Sequence, residues 1–300
     1  MPKVTILTSL YNCSQYLEGY FKCISGIENS SEIEILLLHN APTKEETQII
    51  QSYLQDYNFL HHHIIKERES LYATWNRGIA LAQGEYIAIW NVDDLRFPKS
   101  IYQQAMVLDM NPKADISYGD FYYMYEYGIL SKEVKYNIDF ENNLNVFKRT
   151  HQIGCFPMWR KRIHDKIGFF DEQFRLVSDF DFQIRAAINN CIFVKCNNVL
   201  GAYLTLTPGK LSSNQSLQKK EQNALYLRYG IYDYLNWIYW IPSLKYKIVN
   251  IYNYNNYYPI TLYFKDRYIY LAKRFPLFFL SIIRQPRNIL SYIKHVVFKY

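Results

Sequence analysis

Apolar residues along this chain gather into short continuous runs that alternate with stretches of helical spacing. Residues 4–7 form one run, closed by Thr8 and Ser9, and residues 33–38 form another. Runs of this length suit strands buried on both faces of a parallel sheet. A helical pattern follows each. The first spans 16–27. The second spans 43–57, where Ile49, Ile50, Tyr53, Leu54 and Tyr57 share one face and Thr43 with Glu46 spells a capping box. Residues 63–65 predict a third strand, 74–82 a helix closed near Gly84, and 85–90 a fourth strand. Pro98 then opens another helix at its first turn. Further on, 115–125 and 129–136 predict strands joined at Gly128. A helix over 178–189 and two short strands at 191–195 and 199–206 follow. Residues 212–216 read as a polar linker into amphipathic aromatic segments broken at Pro242, Pro259, Pro276 and Pro286.

Alternation of this kind predicts a doubly wound α/β fold, in which ligands bind beyond the carboxyl ends of the strands. Three polar clusters fall at those ends. They are Thr8, Ser9, Leu10, Tyr11 and Asn12; then His39 and Asn40 on to Thr43; then Asn91, Val92, Asp93 and Asp94. Their placement predicts a small-molecule site at the sheet edge.

Composition narrows the class. The 300 residues, 49% of them apolar, suffice for one large domain with an appendage and exclude a disordered chain. Five cysteines (Cys13, Cys23, Cys155, Cys191 and Cys196) are odd in number and lack a CxxC pair. That argues against a disulfide framework or a zinc site and fits a reducing, cytoplasmic setting. No run reaches the roughly 18 apolar residues of a membrane span, and the opening residues read as a strand, not a leader. The 30 tyrosines fit a coding bias first and an interface-seeking surface second. Net charge is +7, but residues 225–300 carry 11 Lys and Arg against Asp233 and Asp266, a local +9 that leaves the rest at −2. A basic, aromatic tail too short to span suits an anionic membrane surface; the plainer expectation is packing on the catalytic domain or a partner. No recognition motif supports nucleic acid.

Asp93 and Asp94, with the Asn91 amide oxygen, are hard ligands of the kind Mg²⁺ or Mn²⁺ prefers. Asp94 could equally cap the helix that follows. Asp179 has the same ambiguity, since it opens a predicted helix. Asp181 and Arg185, four residues apart, predict an ion pair. The tract His61-His62-His63 lies on a strand, so its side chains cannot all face one ion.

Four segments together resemble glycosyltransferase family 2, the inverting enzymes of GT-A fold. They are VTILTSLYNCSQYLEGYFKCI, EIEILLLHNAPTKEET, LYATWNRGIALAQGEYIAIWNVDD and GFFDEQFRLVSDFDFQIR, within residues 3–205. The resemblance implies a Rossmann-like, mostly parallel sheet with flanking helices as a catalytic domain at 1–210, and a helical, basic extension at 211–300. It implies a nucleotide-sugar donor, UDP-sugar first, seated against Thr8, Ser9, Leu10, Tyr11, Asn12, His39, Asn40, Trp75, Asn76, Arg77, Val92 and Asp93. It implies Mg²⁺ or Mn²⁺ on Asp93 with Asp94 or Asn91, Asp179 as catalytic base, and His151 and Trp159 bordering a glycan or lipid-linked acceptor. The setting it suggests is the inner face of the cell membrane. Three positions depart from the family pattern. Asn91 and His39 stand where acids are usual, and Trp75 where arginine is common. They leave two rivals: a degenerate binding module, and a nucleotidyltransferase, which would need a Gly-rich basic loop that residues 8–12 lack.

Overall fold

The expected buried strands form a parallel set. The computed structural model of the chain describes residues 1–141, 143–205, 214–229, 231, 234, 236, 239, 246, 250–252 and 256–258. In it β1 (Val4–Leu10), β2 (Ile33–Asn40), β3 (Leu60–Ile65) and β4 (Tyr86–Ile89) lie in the order β3-β2-β1-β4, all parallel. The helices α1 (Ser14–Ser25), α2 (Lys44–Leu54) and α3 (Leu71–Leu81) make the crossovers. Because successive strand residues face opposite ways, the sheet has two cores. Ile35, Leu37 and Ala88 meet α1 and α2, whereas Leu36, Leu38, Ile87 and Ile89 meet α3. The capping box forms as read: Glu46 N–H donates to Thr43 Oγ1 and Thr43 N–H to Glu46 Oε2, both at 3.1 Å.

After β4 come β5 (Leu95–Arg96), α4 (Ser100–Met110) and a hairpin of β6 (Ile116–Glu126) and β7 (Ile129–Lys135). Gly128 turns the hairpin with φ of 85°. The short helix α5 (Leu144–Phe147) precedes β8 (Met158–Arg160), a strand of three residues that no periodicity announces. It runs antiparallel between β4 and β6 and joins the two halves of a nine-stranded sheet. Two helices follow, α6 (Ile163–Ile167) and α7 (Ser178–Ile188).

The two short strands expected at 191–195 and 199–206 are one element, β9 (Phe193–Leu204), parallel to β6 with a register shift near Gly119 and Asp120. The polar residues Asn197 and Asn198 sit at that irregularity, which is why the run looks broken in sequence. The expected linker already includes Gln215 and Ser216, which open α8 (Gln215–Tyr229). Ala224 and Leu225 of α8 pack on Phe180 and Ile184 of α7. A pair of short strands, β10 (Asn250–Tyr252) and β11 (Asn256–Tyr258), follows. The remaining aromatic segments of the basic tail lie outside the described residues. Among the described residues no helix is long and apolar enough to cross a membrane.

Candidate active site

The carboxyl ends of β1, β2 and β4 carry the three polar clusters. In the first, Thr8 and Leu10 turn inward and are fully buried, with Thr8 Oγ1 2.5 Å from the Tyr20 hydroxyl. Ser9 keeps some surface, and Tyr11 and Asn12 are exposed. Asn12 takes a positive φ of 47°, a conformation Asn tolerates better than most residues. Glu46 fixes this turn from the next crossover. Its Oε1 accepts from the Cys13 N–H at 2.6 Å, and its Oε2 accepts from both the N–H and the hydroxyl of Thr43. Burial alone would raise the Glu46 carboxyl, but these donors and His39 together bring it down to about 2.

His39 does not face the site. It is fully buried, with Nε2 3.3 Å from Glu46 Oε2 and Nδ1 3.0 Å from His62 Nε2. With Glu46 ionised, Nε2–H donates to the carboxylate and Nδ1 accepts from His62. Burial lowers both imidazoles, His62 to about 4. The expected base-reading side chain is thus spent on holding β2, β3 and α2 together. Asn40 is likewise internal: Oδ1 accepts from Glu69 N–H at 3.0 Å, and Nδ2 donates to the Glu69 carbonyl at 2.9 Å. That pair of bonds fixes the loop after β3. From this loop the Arg68 guanidinium lies 4.0 Å over the Tyr11 ring, a cation–π pair. Glu69 also takes two bonds from the exposed Arg77, at 2.8 and 3.1 Å.

Asn76 is buried on α3 and reaches toward the segment ahead of α7. Its amide exchanges two bonds of 2.9 Å with the backbone of Phe170 and donates to Glu172 at 2.8 Å. Trp75 belongs to the core, edge-on to Tyr72 and Phe170. Trp75 thus packs in the core, and the Asn76 amide is engaged by Phe170 and Glu172. Thr8, Leu10, His39, Asn40, Trp75, Asn76 and the buried Val92 can serve a ligand only through backbone atoms or by framing the loops.

At the end of β4, Asp94 does not cap the following helix, whose N-cap is Lys99, and is turned inward. It is fully buried; Oδ2 accepts from Asn91 Nδ2 at 3.0 Å and Oδ1 from Leu204 N–H at 3.1 Å. Asp93, next to it, is half-exposed. Among the described residues no three His, Cys, Asp or Glu side chains are grouped to hold a metal ion. Asp93 is accordingly the carboxylate of this cluster that a ligand could reach.

The second half of the sheet supplies Asp179, on the first turn of α7. Its Oδ1 accepts from the Tyr72 hydroxyl at 3.2 Å and from the Phe180 N–H at 2.8 Å. Tyr72 stands on the first turn of α3, so Asp179 is tied to the carboxyl-end side of the parallel strands. Burial, then the Asp179 charge, push the Tyr72 hydroxyl well above its ordinary range, so it stays a donor. His151 Nε2 lies 3.9 Å from Asp179 Oδ2. Trp159 does not join them. It is fully buried in β8 and donates Nε1–H to His164 Nε2 at 2.8 Å, leaving no atom for an acceptor.

Under α7 lies a buried charge network. The expected Asp181–Arg185 pair forms at 2.7 Å. Arg228, from α8, bridges Asp181 and Asp171 at 2.7 Å each, and the Tyr229 hydroxyl adds a bond of 2.6 Å to Asp181. Burial pushes the Asp181 carboxyl up, but Arg185 and Arg228 outweigh it and hold it low. Glu221 of α8 accepts from the N–H groups of Arg175 and Leu176. The loop leading into Asp179 is thus clamped by α8. Tyr72, Gln183, Glu221 and Arg228 were not singled out in the sequence. Only Gln183 carried a signal, lying four residues beyond Asp179 on the same helical face.

The sequence profile of Glycosyl transferase family 2 matches residues 5–168. An uncharacterised glycosyltransferase of Methanocaldococcus jannaschii is 28% identical over 198 residues, 64% of this chain and 67% of that one. The chain spans 57% of the length of two other curated relatives. Among solved structures, residues 1–349 of Staphylococcus aureus TarS in complex with UDP-GlcNAc superpose with a TM-score of 0.60 at 14% identity. That superposition covers 81% of this chain and 79% of TarS. The mannosyltransferase PcManGT of Pyrobaculum calidifontis, in complex with GDP-Man and Mn²⁺, gives 0.58 at 13% identity over 76% and 64%. At such identities the structures speak for the fold alone. The profile match, over more than half the residues, identifies the chain as a member of glycosyltransferase family 2, with a GT-A fold.

Proposed function

We propose that the chain transfers a sugar from a nucleoside-diphosphate-sugar to an acceptor hydroxyl, with inversion at the anomeric carbon. The observation that supports this most is Asp179. One of its oxygens is occupied by Tyr72 and Phe180, and the other, Oδ2, has no hydrogen-bond donor among the described residues. In the step, the acceptor oxygen bonds to the anomeric carbon on the face opposite the phosphate. The carbon–phosphate oxygen bond breaks and its electron pair leaves with the nucleoside diphosphate. The acceptor proton passes to Asp179 as general base.

Asp93, a single half-exposed carboxylate at a strand end, fits Mg²⁺ or Mn²⁺ of the kind that takes its other ligands from phosphates and water. Such an ion supplies Lewis-acid stabilisation of the leaving diphosphate. Asn91 and Asp94 shape the turn that presents Asp93. Ser9, Tyr11, Asn12 and Arg77 offer side chains to the nucleotide, and the backbone at His39, Asn40 and Val92 completes its seat. TarS and PcManGT hold UDP-GlcNAc and GDP-Man, so UDP- and GDP-sugars are the donors to try first. The +9 tail beyond residue 224 favours an acceptor at an anionic membrane surface, a glycan or lipid-linked chain in cell-surface polysaccharide or glycolipid synthesis. In this reading residues 1–210 are the catalytic domain and 211–300 its extension, with α8 closing on the base-bearing loop.

A second reading, a binding module without catalysis, draws on the buried His39 and the inward Asp94. Thermal shift with UDP, GDP, CDP and dTDP, with and without Mn²⁺, followed by a donor-turnover assay, separates the two. One nucleotide should raise the melting temperature only with Mn²⁺, and Asp93→Ala should remove that rise. Asp179→Asn should keep the rise and lose turnover. Full turnover in Asp179→Asn refutes the base assignment; nucleotide binding without turnover in the parent favours the module.

A further inference from the structure

Asp179 and His151 are spaced by a common support. The segment carrying His151 is fastened to α7 by Gln183, which is fully buried. Gln183 Oε1 accepts from the N–H groups of Gln152 and Ile153, at 2.6 and 3.1 Å. Its Nε2 donates to the Phe147 and Thr150 carbonyls, the latter at 2.9 Å. Gln183 lies one helical turn beyond Asp179, so both groups are referred to the same stretch of helix. The His151 ring also rests near the Phe180 ring, centroid to centroid 5.9 Å.

The gap this support maintains is 3.9 Å between Asp179 Oδ2 and His151 Nε2. That is too long for a hydrogen bond. His151 Nε2 is buried and has no hydrogen-bond partner among the described residues, an uncommon state for a buried polar atom. An oxygen placed about 2.8 Å from both atoms would subtend an angle of about 90°, within reach of a hydroxyl that donates once and accepts once.

We infer that Asp179 Oδ2 and His151 Nε2 form a seat for the acceptor hydroxyl, in which His151 acts as a second catalytic residue. The hydroxyl donates its hydrogen to Oδ2 and accepts from His151 Nε2–H. This fixes which lone pair points at the anomeric carbon. As the new carbon–oxygen bond forms, the proton moves to Oδ2, and His151 keeps its own. The seat rests on the reading of Asp179 as base, and it selects a hydroxyl, or water in its place, over an acceptor that cannot both donate and accept.

The first test needs no donor. A crystal structure should hold one ordered water within hydrogen-bonding distance of both atoms. A direct Asp179–His151 hydrogen bond, or another side chain in the gap, overturns the seat. The second test uses UDP-GlcNAc or GDP-mannose with Mn²⁺ and water as acceptor. His151→Ala should lower kcat about 10- to 100-fold, the worth of one hydrogen bond to a charged or charging group, while leaving nucleotide binding unchanged. His151→Gln, which keeps an N–H, should recover part of the loss. If His151→Ala turns over within about twofold of the parent while Asp179→Asn is inactive, the seat is wrong and the base reading stands. If Asp179→Asn is itself active, both fall.

Discussion

Replacing Arg228 with Met tests how the loop leading into Asp179 is held. Asp171, Asp181, Arg185 and Arg228 are all essentially buried and their formal charges cancel. Methionine keeps the apolar bulk but leaves that quartet with one uncompensated negative charge. Two bonds of 2.7 Å to carboxylates are lost with it. Breaking one partner out of a buried ion network costs about 3–5 kcal/mol, because the remaining charge stays desolvated. For a chain of this size that lowers the melting temperature by about 6–20 °C. The assay is urea unfolding followed by circular dichroism, with the double variant Asp171→Asn/Arg228→Met alongside. The double variant leaves Asp181 with Arg185 in charge balance and should recover at least half of the loss. An Arg228→Met protein within about 1 kcal/mol of the parent would refute the reasoning, as would a double variant less stable than the single one.

Acid should destabilise the fold before it protonates the carboxylates. Burial holds His164 down at about 4 against an ordinary 6.5, while Trp159 donates to its Nε2 and its Nδ1 faces the Gly168 carbonyl at 3.0 Å. The unfolded chain therefore binds the extra proton between pH 6.5 and 4. Stability is full above that window and falls by about 3 kcal/mol through it. His39 and His62 act in the same direction, and Glu46 adds a loss lower down, between 4.5 and about 2. Urea midpoints from pH 7 to 4 should fall steadily, and His164→Asn should show a shallower slope; an unchanged slope sinks the assignment. Gly84→Ala places a Cβ 2.6 Å from the Thr5 backbone nitrogen, where neither chain can give way. It should cost about 1–3 kcal/mol, and a melting temperature equal to the parent's would contradict the close approach of β4 to β1.

Local signals carried the parallel half of the sheet. The runs at 4–7 and 33–38 are buried on both faces, so each residue reports the same environment and the pattern is continuous. Thr43 and Glu46 are close enough in sequence to be read as a cap. What Glu46 also does, holding the Cys13 N–H 33 residues away, leaves no local trace. β8 escaped because three residues cannot display a period, and β9 looked double because its bulge carries two asparagines. In the candidate site, residue type pointed to Asp93 and the family resemblance to Asp179 and His151, but neither gave the direction in which a side chain turns. His39 and Asp94 are polar residues at strand ends in sequence and are internal in space. Arg228 joins the network from a helix whose apolar positions show little stripe, so nothing near it announced its partners.

The nine-stranded sheet also has a narrow waist. β8 meets β4 through three residue pairs and β6 through two, and among the described strands it is the one that pairs with both halves of the sheet. β1, β2 and β3 lie beyond β4 on one side of it; β9 and β5 lie beyond β6 on the other. Side chains add further ties across it: Asp94 accepts from Leu204 N–H, Asp179 from the Tyr72 hydroxyl, and Asn76 holds the Phe170 backbone. A change at β8, or at the buried Trp159 it carries, therefore acts on both sides of the sheet at once.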